Sequence, residues 1–220
     1  MELKAKVAAT ADEIAKVFAL RSAVFMIEQN CPYDEEFDGN DYCSTHIRGP
    51  GAGAPAAVLR LRYFADFAKI ERLAVLPRFR RTLIMKVVVD AGIEICSRKG
   101  YRKLYGHSQK RLTRFWEKFG FKPLNKKIPL VYSDHEYVEM WAELEPRADA
   151  ITLMSDPYVI VRPEGQWDTP GTLDRSAARP ATNPHEIPVD ARACTPVVRS
   201  LTAGAPPAAH NGVARRPPAA

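Results

Sequence analysis

The sequence ERLAVLPRFRRTLIMKVVVDAGIEICSRKGY, residues 71–101, places a carboxylate and several arginines where a predicted strand turns into a predicted helix. The N–H groups and the dipole at a helix N-terminus bind anions, so this arrangement is the usual scaffold of a phosphate-binding loop. The turn carries cations and a hydroxyl donor, namely Arg78, Arg80, Arg81 and Thr82. Leu83 and Met85, however, stand where small residues would let the backbone close on a phosphate. The pattern therefore predicts anion binding with restricted approach of a pyrophosphate.

Composition bounds the class of protein. The 220 residues, 46% of them apolar, can furnish one domain of ordinary size plus extensions. The N-terminus lacks the profile of a signal peptide, and no apolar run approaches the roughly 20 residues that span a bilayer. We therefore expect a cytoplasmic protein with no membrane span. The cysteines form no CxxC pair, so neither a zinc site nor a disulfide framework is predicted for Cys31, Cys43, Cys96 and Cys194.

Net charge indicates an anionic partner. The formal charge of +6 suits a nucleotide-bearing ligand or an acidic carrier protein. No nucleic-acid recognition motif accompanies the basic residues, and an acidic stretch at residues 30–40 would oppose such binding. We therefore predict no nucleic-acid partner.

Hydrophobic periodicity predicts alternating strands and helices. A capping box at Thr10 and Glu13 opens the first helical region, which two helices or one bent helix would fit. The other predicted elements are strands at residues 2–8, 56–63, 68–75, 103–106 and 138–144, and helices after Pro77 up to Gly100 and at residues 111–119. Such alternation predicts an α/β fold with a mixed sheet.

The stretch NCPYDEEFDGN, residues 30–40, concentrates turn formers and carboxylates. It lacks the positions of an EF-hand, so we predict no metal site there. The prediction is an exposed loop near the acceptor side, one that could select a cationic substrate.

Composition changes near residue 150, which predicts a main domain at residues 1–150. Residues 151–176 still contain Tyr158, Ile160 and Trp167, and we expect them to form an irregular C-terminal appendage. Alanine, proline and threonine dominate residues 177–220 without periodicity, which predicts a disordered tail.

Three motifs occur in order along the middle of the chain. They are VF-x-x-EQ-x-CPY at residues 24–33, ERLAVLP-x-x-R at residues 71–80 and FWEKFGF at residues 115–121. Together they resemble the GNAT N-acyltransferase superfamily, in particular its ElaA-like branch, over roughly residues 17–144. The resemblance implies a GNAT-type mixed central sheet flanked by helices, with a V-shaped opening for an acyl-CoA thioester. It also implies transfer of an acyl group, acetyl by default, to a primary amine by direct attack within a ternary complex.

The resemblance assigns roles along the strand at residues 68–75. Glu71 matches a general base that acts directly or through water, the alternative being a carboxylate paired with Lys69 or Arg72 on a solvent face. Leu73 and Val75 would supply backbone amides that polarise the thioester carbonyl.

The family's phosphate-binding loop, R/Q-x-x-G-x-G/A, coincides with residues 80–85. The donor-binding residues implied there are Arg80, Arg81, Thr82, Leu83, Ile84 and Met85. Because Leu83 and Met85 replace both small residues, two readings stay open. Either CoA binds in an altered pose, or the donor is an acyl carrier protein, whose phosphopantetheine arm has no adenosine diphosphate. A non-catalytic GNAT-like binding module is a further alternative.

The resemblance leaves the general acid unassigned and suggests residues for the acceptor pocket. Trp116 stands where the family often has a tyrosine that protonates the leaving thiolate, and an indole cannot do this. We expect Trp116 to pack against the pantetheine arm or the core. The small-molecule amine or amino-terminal acceptor is expected to contact Glu28, Gln29, Tyr33 and Tyr137. His107 and Gln109 are expected to have structural hydrogen-bonding roles.

Overall fold

The computed structural model describes residues 3–124 and 128–182. Within them, the chain up to Arg179 forms one compact unit. The tail predicted at residues 177–220 lies outside the described residues from position 183 onward. No helix in the described ranges is long and apolar enough to cross a membrane.

A mixed sheet forms the centre of the described chain, with strand order β1-β2-β3-β4-β5-β8-β6 and with β7 paired to β8. The strands are β1 Lys6–Val7, β2 Thr45–Arg48, β3 Ala57–Tyr63, β4 Ala68–Val75, β5 Lys103–Gln109, β6 Lys122–Pro123, β7 Leu130–Tyr132 and β8 His135–Glu143. The β4–β5 pair is parallel, and the other pairs are antiparallel. The predicted mixed α/β sheet is confirmed.

Helices flank this sheet. They are α1 Ala11–Arg21, α2 Tyr33–Glu36, α3 Ile84–Arg98, α4 Thr113–Glu117, α5 Pro157–Ile160 and α6 Thr172–Ala177. The Thr10 hydroxyl caps α1 by accepting from the N–H of Glu13 at 3.2 Å. The Glu13 carboxylate in turn accepts from the N–H of Ala9 at 2.8 Å, one residue before the expected partner. A π-helical segment, Ser22–Glu28, continues α1 directly, so the first helical region is one run with a widened last part.

Two apolar clusters fix the helices to opposite faces of the sheet. One cluster contains Leu59, Leu61 and Ile70 together with the buried side of α3. The other joins Val58 and Ala74 to the apolar side of α1. Because side chains alternate along a strand, the sheet carries α3 on one face and α1 on the other.

Several boundaries differ from the sequence prediction. The first strand covers only Lys6–Val7, and α3 begins at Ile84 after a short 3₁₀ turn at Pro77–Phe79. Strand β5 continues past Gly106 to Gln109. The strands β2, β6 and β7 have no counterpart in the prediction because each is only two to four residues long.

The described part of the C-terminal extension packs on the main domain. Trp167 is 8% exposed within the apolar cluster under α3. Glu164 accepts hydrogen bonds from Lys99 Nζ at 3.0 Å and from the Tyr63 hydroxyl at 2.9 Å. These contacts attach the segment to α3 and β3.

Candidate active site

Strands β4 and β5 separate in the middle of the sheet. Their parallel pairing ends at Ile70 and Gly106, although β4 remains paired with β3 up to Val75 and β5 with β8 up to Gln109. The residues that line the resulting cleft include Ile70, Gly106, His107, Ser108, Trp116 and Met140. The separation leaves an opening between two central strands, beside the start of α3.

A β-bulge lies on the β4 side of this opening. Val58 pairs with Ala74 and Arg60 pairs with Glu71, so Arg72 and Leu73 together oppose one residue of β3. Arg72 has a φ of 54°, a left-handed conformation that costs a non-glycine residue about 1 kcal/mol. A bulge re-aims the backbone groups next to it. The predicted roles of the Leu73 and Val75 amides concern this stretch, and they stay predictions.

The carboxylate of Glu71 has two close cationic partners, Arg60 and Lys69, and a more distant one, Arg62, at 4.0 Å. Its Oε1 accepts from Arg60 Nε at 2.9 Å, and its Oε2 lies 2.8 Å from Lys69 Nζ. The side chain is only 7% exposed. The pair with Lys69 is therefore present, but on a buried face and with Arg60 rather than Arg72 as the second partner. Glu71 could take a proton only by giving up one of these contacts, and its role as base stays a prediction.

The acidic segment, defined here as residues 34–41, is not simply an exposed loop. Glu36 is 1% exposed, so the prediction of an exposed loop at residues 30–40 is wrong for this side chain, and Asp41, which follows that stretch, is 7% exposed. Arg21 pairs with both of them. Arg60 makes a bidentate contact with Asp38 at 2.8 and 2.6 Å and a further contact with Asp41 at 2.9 Å.

Arg72 attaches the same segment to the bulge. Its Nε lies 3.1 Å from Glu36 Oε2, and its guanidinium also donates to the backbone carbonyls of Glu35 and Glu36. Arginines from α1, β3 and β4 thus converge on one short segment. Local sequence pattern contains no signal for this contact, because the partners lie far apart along the chain.

The carboxylates of this network are paired with cations. Glu36, Asp38, Asp41 and Glu71 face Arg21, Arg60, Arg72 and Lys69, and Arg62 Nε lies 4.0 Å from Glu71 Oε1. Burial opposes ionisation of Asp38, but the hydrogen bonds and the positive charge of Arg60 outweigh it and hold the pKa of Asp38 well below its usual range. The pKa of Asp41 is lowered in the same way by Arg21 and Arg60, against the effect of burial. Arginines thus neutralise Asp38 and Asp41. Asp34 and Glu35 of the same segment are exposed, and selection of a cationic substrate by the segment stays a prediction.

The loop at residues 80–85 keeps its charge but uses part of it internally. The Arg80 guanidinium contacts both carboxylate oxygens of Glu28 at 2.6 Å, and its Nε donates to the carbonyl of Val75 at 3.1 Å. Those hydrogen bonds from Arg80 lower the pKa of Glu28. Glu28, predicted to contact the acceptor amine, is therefore paired with Arg80, predicted to bind the acyl donor.

The rest of this loop fits an anion better than a closely held pyrophosphate. Arg81 is exposed and has a φ of 65°, a conformation that a glycine would adopt more readily. The Thr82 hydroxyl accepts from the N–H of Ile84 at 3.3 Å and so occupies one amide at the start of α3. Leu83 is 66% exposed, and Met85 packs partly on the core. Exposed cations and helix amides are present, while the side chains at both family glycine positions limit how closely the backbone can approach a phosphate.

Two predicted acceptor residues meet through a third residue. The Gln109 amide nitrogen donates to Gln29 Oε1 and to the Tyr137 hydroxyl, each at 3.2 Å. Gln109 is 8% exposed, and its Oε1 has no hydrogen-bond partner among the described residues. Tyr33 is 62% exposed and packs on Phe37 instead. Gln29 and Tyr137 are thus brought together, and Tyr33 and Glu28 make other contacts.

A network that the sequence prediction missed lies on β5 and β8. The Tyr105 hydroxyl donates to Glu139 Oε1 and forms a hydrogen bond with His107 Nε2 at 2.7 Å. Burial, with the hydrogen bond to Glu139, raises the pKa of Tyr105 and keeps it protonated. The His107 ring stacks on Tyr132 at a centroid distance of 5.7 Å. The available signal was the two-residue spacing of Tyr105 and His107, which puts both on one face of a strand.

Trp116, on α4, packs among aromatic side chains of α4 and of the residues that follow it. Its ring lies 5.3 Å from those of Phe115 and Phe121 and lines the cleft beside Gly106. The expected contact with a pantetheine arm stays a prediction. In the described ranges, no group of three or more His, Cys, Asp or Glu side chains is arranged to hold a metal ion.

Comparison with known sequences gives consistent matches. The family model "Acetyltransferase (GNAT) family" matches residues 14–121. A candidate acetyltransferase of Bacillus subtilis strain 168 is 31% identical over 121 residues, which cover 54% of this chain and 82% of that protein. Protein ElaA of Escherichia coli K12 is 29% identical over 120 residues, covering 52% of this chain and 78% of ElaA.

Solved structures show the same fold. The crystal structure of Escherichia coli ElaA aligns with a TM-score of 0.59 at 24% identity, covering 64% of this chain and 100% of ElaA. A GNAT family acetyltransferase from Elizabethkingia anophelis with acetyl-CoA bound aligns with a TM-score of 0.52 at 15% identity, covering 64% and 98% of the two chains.

Proposed function

Because the chain belongs to the GNAT acetyltransferase family, we propose that it transfers an acyl group from acyl-CoA to a primary amine by direct attack within a ternary complex. Acetyl is the default acyl group. The observation that carries the proposal is the separation of β4 and β5 beyond Ile70 and Gly106, with a bulge at Arg72 on one side. The acceptor is a small-molecule amine or an amino terminus.

Different residues beside the opening would bind different parts of the donor. Amides at the start of α3 and the exposed Arg81 would bind phosphate oxygens. Trp116 and Gly106 line the cleft along which the pantetheine arm would lie. The amides of Leu73 and Val75 would polarise the thioester carbonyl, whose carbon is the electrophile that the bound donor supplies.

Proton removal is the step that the amine needs before or during attack. The resemblance names Glu71 for this step, and we retain it as a proposed base. Its present contacts with Arg60 and Lys69 would have to give way for it to act.

A second donor is favoured by one specific observation. Arg80 is held by Glu28, and Leu83, exposed by 66%, stands among the exposed cations Arg78, Arg81 and Lys86. An apolar side chain among cations suits the acidic surface of an acyl carrier protein. An acyl group on such a carrier is therefore the alternative donor.

Thermal stabilisation of the full chain tests both donors. Acetyl-CoA, free CoA, a long-chain acyl-CoA and an acylated carrier protein are compared, and thiol release is then followed with a panel of primary amines. We expect the CoA ligands to raise the melting temperature and Arg81→Ala to reduce this shift. Arg175→Ala, which removes an exposed arginine in α6, is the matched control.

The outcomes separate the alternatives. Stabilisation by the acylated carrier alone would replace CoA with the carrier as donor. Stabilisation without thiol release from any amine would indicate a binding module and overturn the proposed transfer.

A further inference from the structure

The π-helical segment that continues α1 ends over the opening between β4 and β5. The Arg80 guanidinium, which contacts Glu28, also donates through Nε to the carbonyl of Val75, the last residue of β4. Gln29 Oε1 accepts from Gln109, the last residue of β5. The two strands are parallel, so their ends lie at the same edge of the sheet. The end of the π-helical segment therefore connects the two sides of the opening, and such segments often occur at functional sites.

The contact between Glu28 and Arg80 has the geometry that a phosphate would adopt on the same arginine. Two guanidinium nitrogens each lie 2.6 Å from one carboxylate oxygen, which makes the contact bidentate. Arginine binds two phosphate oxygens in the same way. Glu28 thus occupies a cation that the resemblance assigns to the acyl donor, so its carboxylate and a donor phosphate would compete for one guanidinium.

This ion pair is accessible to a ligand from solution. The side chains of Arg80 and Glu28 are 41% and 38% exposed. An exposed ion pair contributes little to stability, because water solvates both charges when they separate. The pairs within the acidic segment differ in this respect, since the side chains of Arg21 and Glu36 are each only 1% exposed. A phosphate can therefore reach Arg80 and replace Glu28 without opening the core.

Such an exchange would leave a carboxylate without its main counter-ion beside the opening. The charged groups that act on Glu28 are Arg80, with the larger effect, and Arg111, which follows β5. Once a phosphate takes Arg80, Glu28 loses both of the hydrogen bonds that it accepts from this guanidinium. A primary alkylamine is an ammonium ion at neutral pH, as the lysine side chain is. This cation would restore the charge balance at Glu28, next to the predicted acceptor residue Gln29.

We propose that a phosphate group of the acyl donor displaces Glu28 from Arg80, and that the released Glu28 carboxylate binds the ammonium form of the acceptor. This inference rests on the proposed acyl transfer. It makes Glu28 a binding residue for the acceptor and Arg80 one for the donor. Donor and acceptor then strengthen each other's binding, because such a coupling is reciprocal.

Three fragments of the donor test the exchange at Arg80 without turnover. CoA carries a pyrophosphate, 4′-phosphopantetheine carries the one phosphate that a carrier-bound arm also has, and pantetheine carries none. Calorimetry compares their affinities for wild type and Glu28→Gln. We expect the variant to bind both phosphate ligands about fivefold more tightly, because Arg80 no longer has to leave a carboxylate. Its affinity for pantetheine should equal that of wild type.

The matched control is Asp66→Asn. This change removes an exposed carboxylate that is paired with Lys103 at the β3–β4 turn, and it should leave all three affinities unchanged. A gain for CoA alone in Glu28→Gln would support exchange with the pyrophosphate, and a gain for both phosphate ligands would support exchange with the phosphate next to pantetheine. No gain for either, or an equal gain for pantetheine, would overturn the exchange.

A double-mutant cycle separates exchange from simple repulsion between Glu28 and the donor. In the Arg80→Ala background, Glu28→Gln should leave the CoA affinity unchanged, because the guanidinium for which they compete is gone. A gain that persists in the double variant would show that Glu28 acts on the donor directly, and it would overturn the exchange.

Steady-state kinetics test the role of Glu28 toward the acceptor. Thiol release is measured with acetyl-CoA and the most reactive primary amine of the panel. We expect Glu28→Gln to lower KM for acetyl-CoA by about fivefold and to raise KM for the amine by about tenfold, because the ammonium loses its charged partner. Glu28→Asp keeps the charge and should retain most of the affinity for the amine. A merely structural defect would not move the two KM values in opposite directions.

The outcomes distinguish this inference from the proposed function. An unchanged KM for the amine in Glu28→Gln would overturn the role of Glu28 toward the acceptor and leave the proposed transfer standing. A wild-type protein that binds CoA but releases no thiol would overturn the proposed transfer together with that role, while the calorimetry would still decide the exchange at Arg80.

Discussion

Arg60 is the side chain whose removal should be most costly to stability. Its guanidinium is fully buried and contacts Asp38, Asp41 and Glu71. In Arg60→Met the apolar volume is largely kept, but these carboxylates lose a shared cation. Removing one partner of a buried ionic group typically costs about 3–5 kcal/mol because the remaining charge is left uncompensated.

This free energy converts into a measurable shift in melting temperature. For a domain of this size, 1 kcal/mol corresponds to about 2–4 °C, so Arg60→Met should lower Tm by about 6–20 °C. The assay is thermal unfolding at neutral pH, followed by circular dichroism. Lys86→Ala is the control, because it removes a cation from the exposed pair with Asp90 and should change Tm by no more than about 2 °C.

Lowering the pH tests whether the lost ion pairs cause the lower melting temperature of Arg60→Met. The pKa of Asp38 is lowered in the folded protein, so its stabilising effect is present above the ordinary carboxyl pKa of about 3.9. That effect is lost as pH falls toward the lower folded value. The difference in Tm between wild type and Arg60→Met should therefore narrow below about pH 4. A variant that melts within 2 °C of wild type at neutral pH, or a difference that grows on acidification, would refute the reasoning.

Three further changes test other parts of the structure. Arg72→Gly relieves the left-handed backbone but removes the tie to the carbonyls of Glu35 and Glu36; we expect kcat/KM for thiol release to fall about tenfold, and an unchanged value would contradict this. Glu28→Gln releases Arg80 for the donor, so calorimetry should show CoA binding about fivefold more tightly rather than unchanged. Gly100→Ala places a side chain at a φ of 84° after α3, and Tm should fall by about 2–4 °C.

Local sequence patterns correctly predicted those strands and helices that are determined by their own residues. The hairpin of β3 and β4 was predicted to within one residue, because period-two alternation depends only on neighbouring positions. Strand β2, Thr45–Arg48, was missed because four residues without alternation give no such signal.

The site could be predicted only in part, because its contacts join distant positions. Lys69 was named, with Arg72, as an alternative partner of Glu71, and the two-residue spacing of Lys69 and Glu71 puts both on one strand face. Arg60 was not, because its place opposite Glu71 depends on a register that the bulge shifts. The pair of Glu28 with Arg80 spans 52 positions along the chain, and no local pattern contains it.

The exposed cations at the start of α3 have a kinetic consequence. Arg78 and Arg81 are exposed there beside Lys86, whose charge is shared with Asp90, so this surface attracts an approaching anion. An anionic donor should be drawn in from solution faster at low ionic strength, because the screening length is about 10 Å at 0.1 M salt. Raising the salt concentration would therefore slow the capture of the donor.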